Sequence, residues 1–157
     1  METSLHVAPA SHTQLSELSE LLGILFAQER EFSVDARRQH AGLDAILAHP
    51  DLGMIHVAQL GGHIVGMVVE LYSFSTALGA PVAILEDLVV RPQARGHGVG
   101  RALIQAALDS ARARGCLRVS LLTDGDNHRA HALYARFGFQ ASSMQLMRLH
   151  FPDTPTD

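Results

Sequence analysis

The chain is 157 residues long, 47% apolar and 18% charged, a balance that suits one compact domain with a buried core. No apolar run reaches the roughly 20 residues needed to span a bilayer, and Met1-Glu2 opens no export signal, so a cytoplasmic protein that engages no membrane is expected. One cysteine, Cys116, leaves no disulfide or Cys-rich zinc site, and the absence of lysine excludes Schiff-base chemistry and a Walker loop. The net charge of −4 hides an uneven distribution. Residues 1–90 hold three arginines against eleven acids, whereas residues 91–136 hold eight against three. That pattern suits an anion held by the later segment and a cation approached by the earlier one.

In chain order, a strand comes first. Ser11 and Gln14 then form a capping box for a helix over residues 12–30 that turns Leu15, Leu18, Leu22 and Leu25 inward. Asp35 caps a second helix, carrying Leu43, Ile46 and Leu47, which His49-Pro50 must end. Strands over 55–60 and 64–72 are joined by Gly61-Gly62, which supplies the positive φ angles of a tight hairpin. A small-residue loop over 73–81 leads into an apolar strand over 82–90, expected to be buried on both faces. Leu103, Ile104, Ala107, Leu108 and Ala111 mark a helix ending at Gly115. A short strand over 118–122, a helix over 127–136 and a last strand over 144–150 complete a single α/β domain, 1–151, before a disordered tail over 152–157.

Between the apolar strand and the third helix lies Arg95-Gly96-His97-Gly98-Val99-Gly100. Glycines let backbone approach a ligand, and the free amides at a helix start point at an anion that the helix dipole also favours. A Rossmann fingerprint would need glycine where Arg101 stands, and a Walker loop would need lysine, so both fail.

The segment resembles the acyl-CoA motif of the GNAT acetyltransferases, in which Gln or Arg is followed at fixed spacing by two small residues, here Arg95, Gly98 and Gly100. The likeness extends upstream to Leu88-Val89-Val90-Arg91-Pro92 and downstream to Asn127, Ala130, Leu133, Tyr134 and Gly138-Phe139. It implies an α/β fold with a mixed, mostly antiparallel sheet of six to seven strands flanked by about four helices. It also implies acetyl-CoA as co-substrate. Main-chain groups of Leu88, Val89 and Val90 would pair with the pantetheine arm, and the amides of Arg95, Gly96, His97, Gly98, Val99, Gly100 and Arg101 would hold the pyrophosphate. Asn127 would contact the cofactor beyond the thioester and Tyr134 would lie near its sulfur. Asn127 is otherwise a helix cap and Tyr134 a core aromatic.

An alkyl amine near 10.4 must lose a proton before it attacks, at a cost of about 4 kcal/mol at neutral pH. Glu86 is the favoured base. Asp87, adjacent on the strand, should face the other side. Tyr134 is better placed as a hydrogen-bond donor to developing thiolate than as a strong acid, because tyrosine near 10 giving its proton to a thiolate near 8.5 is uphill by roughly 2 kcal/mol. A locally similar Leu85-Glu86-Asp87 occurs in diamine and polyamine acetyltransferases, and the early acids Glu29, Glu31, Asp35 and Glu70 also suit a cationic amine. Phe26, Phe32, Tyr72 and Phe74 are candidate acceptor contacts, with Phe32, Tyr72, Glu86 and Asp87 as the substrate-binding set.

His128 and His131 are spaced to share a metal but have no third ligand in sight, so no metal is expected. The acidic chain, with its arginines directed at CoA phosphates, argues against nucleic acid. The resemblance leaves a homodimer open. Two rivals stand beside an amine acetyltransferase: a non-catalytic CoA-binding sensor, and an interaction domain with no CoA site.

Overall fold

The computed structural model describes residues 4–153, so the tail expected over 152–157 lies outside the described residues from 154 onward. The chain divides into two compact units, Met1–Leu122 and Thr123–Asp157.

The first unit contains β1 (Leu5–Pro9), α1 (Leu15–Gln28, preceded by a 3-10 turn), α2 (Ala36–Ala48), β2 (Gly53–Leu60), β3 (His63–Ser75), β4 (Ala80–Val90), α3 (Val99–Ala113) and β5 (Val119–Leu121). The strands form one sheet in chain order, with antiparallel pairing from β1 to β4 and a parallel β4–β5 pair. The local signals operate as their chemistry requires. Ser11 donates its backbone N–H to Gln14 Oε1 at 3.0 Å, and Asp35 accepts from the amides of Arg37 and Arg38. Helix α2 ends before Pro50, and Gly61 and Gly62 take φ values of 58° and 82° in the β2–β3 turn.

The core on one face of the sheet joins Leu18, Leu21 and Leu22 of α1 and Leu43 of α2 to Ile55, Val57, Met67, Val69 and Val89. Gln39 ties α2 to α1 by donating to the Ser19 carbonyl at 2.9 Å. On the other face α3 buries Leu103, Ile104, Ala107 and Ala111. It descends onto Gly66, where a Cβ would stand 2.9 Å from the Val89 carbonyl oxygen and 3.0 Å from a Val99 methyl. Only glycine allows that approach.

Three expectations are corrected. The segment 73–81 is a turn inside a hairpin: β3 runs to Ser75, β4 starts at Ala80, and Gly79 at φ 63° donates back to the Ser75 carbonyl. Strand β4 is not buried on both faces, since Ile84 and Glu86 are exposed. The sheet has five strands among the described residues, not six to seven, because 144–150 pairs with nothing there. Its apolar residues change phase, from 144 and 146 to 147 and 149, so a straight strand could not gather them on one face.

The second unit contains α4 (His128–Arg136), begun by Asn127, whose Oδ1 accepts from the Ala130 amide at 3.3 Å. Among the described residues no helix is long and apolar enough to cross a membrane.

Beneath α3 lies a buried polar pair that the sequence did not announce. His56 Nε2 donates to Glu70 Oε2 at 2.8 Å, with the two residues 4% and 0% exposed. Removing one partner of such a pair leaves a buried charge or donor uncompensated. His56→Ala should therefore lose about 3–5 kcal/mol in urea unfolding, whereas the volume-matched double change His56→Leu with Glu70→Met should recover most of that loss.

Candidate active site

Strand β4 changes character after Leu85. Its parallel pairing with β5 covers Ala83, Ile84 and Leu85 and stops there, leaving the Glu86–Val90 edge without a strand partner on that side among the described residues. On its other side the ladder slips: Val69 faces Glu86, while Met67 faces Val89. Asp87 and Leu88 together thus oppose Val68, which is a β-bulge. Asp87 takes φ 55° and is the one non-glycine residue at positive φ among those described. Aspartate tolerates this region better than most residues, and such strain gathers at working sites.

The register on either side of the bulge fixes the face of Glu86. Glu86 pairs with Val69 and so lies on the face shared with α1 and α2, where it is exposed. Asp87 is half-buried. Desolvation, reinforced by the charges of Glu86 and then Glu29, pushes its carboxyl from an ordinary 3.8 up to about 6. Glu29 directly follows α1, and Phe32, three residues on, packs its ring 5.5 Å from that of Phe26.

Beyond β4 the chain makes a short 3-10 turn, Pro92–Ala94, and then the glycine loop. Gly96 and Gly98 take φ values of 80° and 78°, and a Cβ at either would meet nothing within 4 Å. These glycines are needed for their backbone angle. Gly98 is the N-cap of α3 and supplies no side chain there, so the first amides of the helix remain available to a ligand. Arg95, Gly96, His97, Gly98 and Arg101 are exposed, while Val99 is buried as the anchor of α3 and Gly100 is intermediate. Leu88, Val89 and Val90 supply the open strand edge that leads to this loop. An extended ligand arm could pair with that edge as an added strand, and a diphosphate could sit on the loop amides.

The arginines divide into two groups. Arg91 holds the Ile64 carbonyl and Glu20, each at 3.0 Å, and Arg114 stacks 3.8 Å above the Tyr72 ring. These are structural. Arg95 and Arg101 flank the loop in solvent.

Tyr72 and Glu70 lie away from Glu86. Both are on the α3 face of β3, whereas Glu86 is on the opposite face. Glu70, counted among the acids suited to an amine, is instead consumed by His56. Burial and the Glu70 charge push the Cys116 thiol up, which disfavours the reactive thiolate.

In the second unit, Tyr134 is half-buried against Phe139, with ring centroids 6.0 Å apart, and burial pushes its hydroxyl up from 10.0. It is thereby kept as a proton-bearing donor near neutral pH. His131 Nε2 donates to the Asp124 carbonyl at 2.9 Å, and no group of three or more metal-ligating residues is assembled among the described residues. The β4 bulge was not visible in the sequence, because nothing in Leu85-Glu86-Asp87-Leu88 breaks the strand pattern.

Comparison with known proteins agrees with this geometry. Residues 17–139 match the acetyltransferase (GNAT) family, and the chain belongs to it. An uncharacterized N-acetyltransferase of Bacillus subtilis (strain 168), YhfO, is 34% identical over 119 residues, covering 74% of this chain and 79% of the relative. The putative acetyltransferase from Agrobacterium tumefaciens str. C58 superposes with a TM-score of 0.78 at 27% identity, covering 92% of this chain and 99% of that one. The aminoglycoside N-acetyltransferase AAC(6')-Iy, solved in complex with CoA, shares the fold with a TM-score of 0.81 at 19% identity, covering 96% and 97%. The protein is an acetyltransferase enzyme, and its family uses acetyl-CoA.

The raised Asp87 carboxyl has a consequence for stability. Its folded value lies above its unfolded one, so its protonated form favours folding below about pH 4, and that contribution is lost as pH rises through about 6. The difference is worth roughly 3 kcal/mol. Asp87→Asn should be more stable than the parent by up to that amount above about pH 6, with the gap closing below about pH 4, in paired denaturation curves.

Proposed function

We propose that the enzyme transfers acetyl from acetyl-CoA to a primary amine of a small molecule or peptide by direct attack. One observation carries this reading: the open edge of β4 leads from two adjacent carboxyls to a glycine loop at an uncapped helix start. The edge from Leu88 to Val90 holds the pantetheine arm, and the amides from Arg95 to Arg101 hold the pyrophosphate. Asn127 supports the cofactor beyond the thioester, in addition to capping α4. The thioester already activates the acetyl group, so the amine nitrogen forms its bond to the acetyl carbon as the bond to sulfur breaks, and no covalent enzyme intermediate is needed.

Glu86, exposed on the α1 and α2 face, takes the ammonium proton directly or through water. Tyr134 donates a hydrogen bond toward the sulfur as negative charge develops there. Phe32 and Asp87 contribute to the acceptor site, where Glu29 adds negative charge. That electrostatic setting favours a cationic acceptor. Tyr72 lies on the other face of its strand, and its acceptor role is the weakest of the set.

A second reading gives the base to Asp87. Its value of about 6 lies nearer neutrality than that of an ordinary carboxyl, which suits proton transfer. Thiol release from acetyl-CoA should be measured across polyamines, amino acids, aminoglycosides and peptide N-termini. If Glu86 is the base, Glu86→Gln should lower kcat by about 100-fold or more with little change in acetyl-CoA affinity. If Asp87 is the base, Asp87→Asn should carry that loss. The parent kcat/KM should then fall as pH drops through about 6, and Glu86→Gln, which removes one of the charges that raise Asp87, should keep a fall of that form displaced to lower pH. Failure to release thiol with any amine, together with retained CoA binding, would favour the sensor alternative.

A further inference from the structure

The connection between α1 and α2, residues 29–35, belongs to no helix or strand, and Glu31 to Asp35 are exposed. One buried side chain fixes its far end. Gln39, 6% exposed in the first turn of α2, uses both atoms of its amide. Oε1 accepts from the Asp35 backbone amide at 2.8 Å, while Nε2 donates to the Ser19 carbonyl at 2.9 Å and lies 3.3 Å from Ser19 Oγ. An N–H only donates and a carbonyl only accepts, so one orientation of the amide satisfies both ends. Asp35, where the connection enters α2, is thereby clamped to α1. The connection touches α1 along its length as well. The Phe32 ring packs 5.5 Å from that of Phe26, and a Cβ placed on Gly23 would stand 3.8 Å from a Val34 methyl and 3.9 Å from Gln39 Nε2. At the near end Glu29 is half-buried, and its charge acts on the Asp87 carboxyl where α1 packs on β4.

We propose that Gln39 is a positioning residue for the acceptor amine: by locking the α1–α2 connection onto α1, it holds Phe32 and Glu29 in place beside β4. The proposal rests on the assignment of Phe32 and Glu29 to the acceptor side. Gln39 is buried and acts through the connection. Without its tie, the ordering of Phe32 and Glu29 would oppose binding of the amine, whereas the loop before α3 would be untouched.

Three variants separate this role from a general loosening of α2. Gln39→Met keeps the side-chain volume and removes the amide. Leu43→Val weakens a core contact of the same helix and leaves the tie intact. Glu29→Gln removes the charge itself. The Asp87 carboxyl is titrated by carbon NMR in the parent and each variant. Glu29→Gln should lower its midpoint, because that charge helps to raise it. Gln39→Met should reproduce most of that fall, and Leu43→Val should leave the midpoint at the parent value. With whichever amine of the panel releases thiol fastest, Gln39→Met should raise KM for the amine about fivefold and leave KM for acetyl-CoA unchanged. A midpoint that Glu29→Gln lowers and Gln39→Met does not, or equal falls in Gln39→Met and Leu43→Val, would overturn the role of Gln39 and leave the acceptor assignment standing. No fall in Glu29→Gln would overturn both. Turnover of no amine in the panel would overturn the amine reading alone, since the titration still decides whether Gln39 holds the connection.

Discussion

An extra residue in β4 governs how that strand can be used. Without the bulge at Asp87 and Leu88, β4 would continue the alternation begun at Ala80, and Leu88 rather than Val89 would share the face of Glu86. With it, the backbone turns through a left-handed residue just where the pairing with β5 has ended. The same few residues therefore combine a perturbed carboxyl with an open hydrogen-bonding edge. Strain of this kind is tolerated only where the surroundings enforce it. Here the β3 ladder resumes at Met67–Val89, and Val89 is buried in the core.

Placement of the anion loop follows from contacts on both sides of it. Gly66 admits α3 against the sheet, and Arg91 straps the end of β4 to the Ile64 carbonyl and to α1. Between these fixed points the His97 ring braces the loop, its Nδ1 lying 3.1 Å from the Ala94 and Arg95 carbonyls. Two glycines at positive φ lead into a helix start that no side chain caps, and the nearby charges are exposed arginines. Preorganised amides cost little reordering when an anion arrives.

Much of the fold was legible because its signals are local. The Asp35 cap, the Pro50 stop and the Gly61-Gly62 turn each act through chemistry confined to a few residues. The glycine loop was legible for the same reason, and so was Asn127 as a cap. What escaped was relational. The bulge exists only as a mismatch between β3 and β4, and the burial of Glu70 depends on His56 fourteen residues earlier. Register places Tyr72, a candidate acceptor contact, on the α3 face beside Arg114, a placement set by pairing between strands. The segment 144–150 has strand-like composition but lacks one consistent apolar face.

The His56–Glu70 pair also bears on how the β2–β3 hairpin finds its register. Apolar β-branched residues recur along both strands, and hydrophobicity alone discriminates poorly between alignments offset by two positions. An offset that set His56 opposite Gly66 would leave the carboxylate in the interior without its imidazole, at a cost of several kcal/mol. The buried pair thus disfavours that one misalignment, which a wholly apolar interior would tolerate.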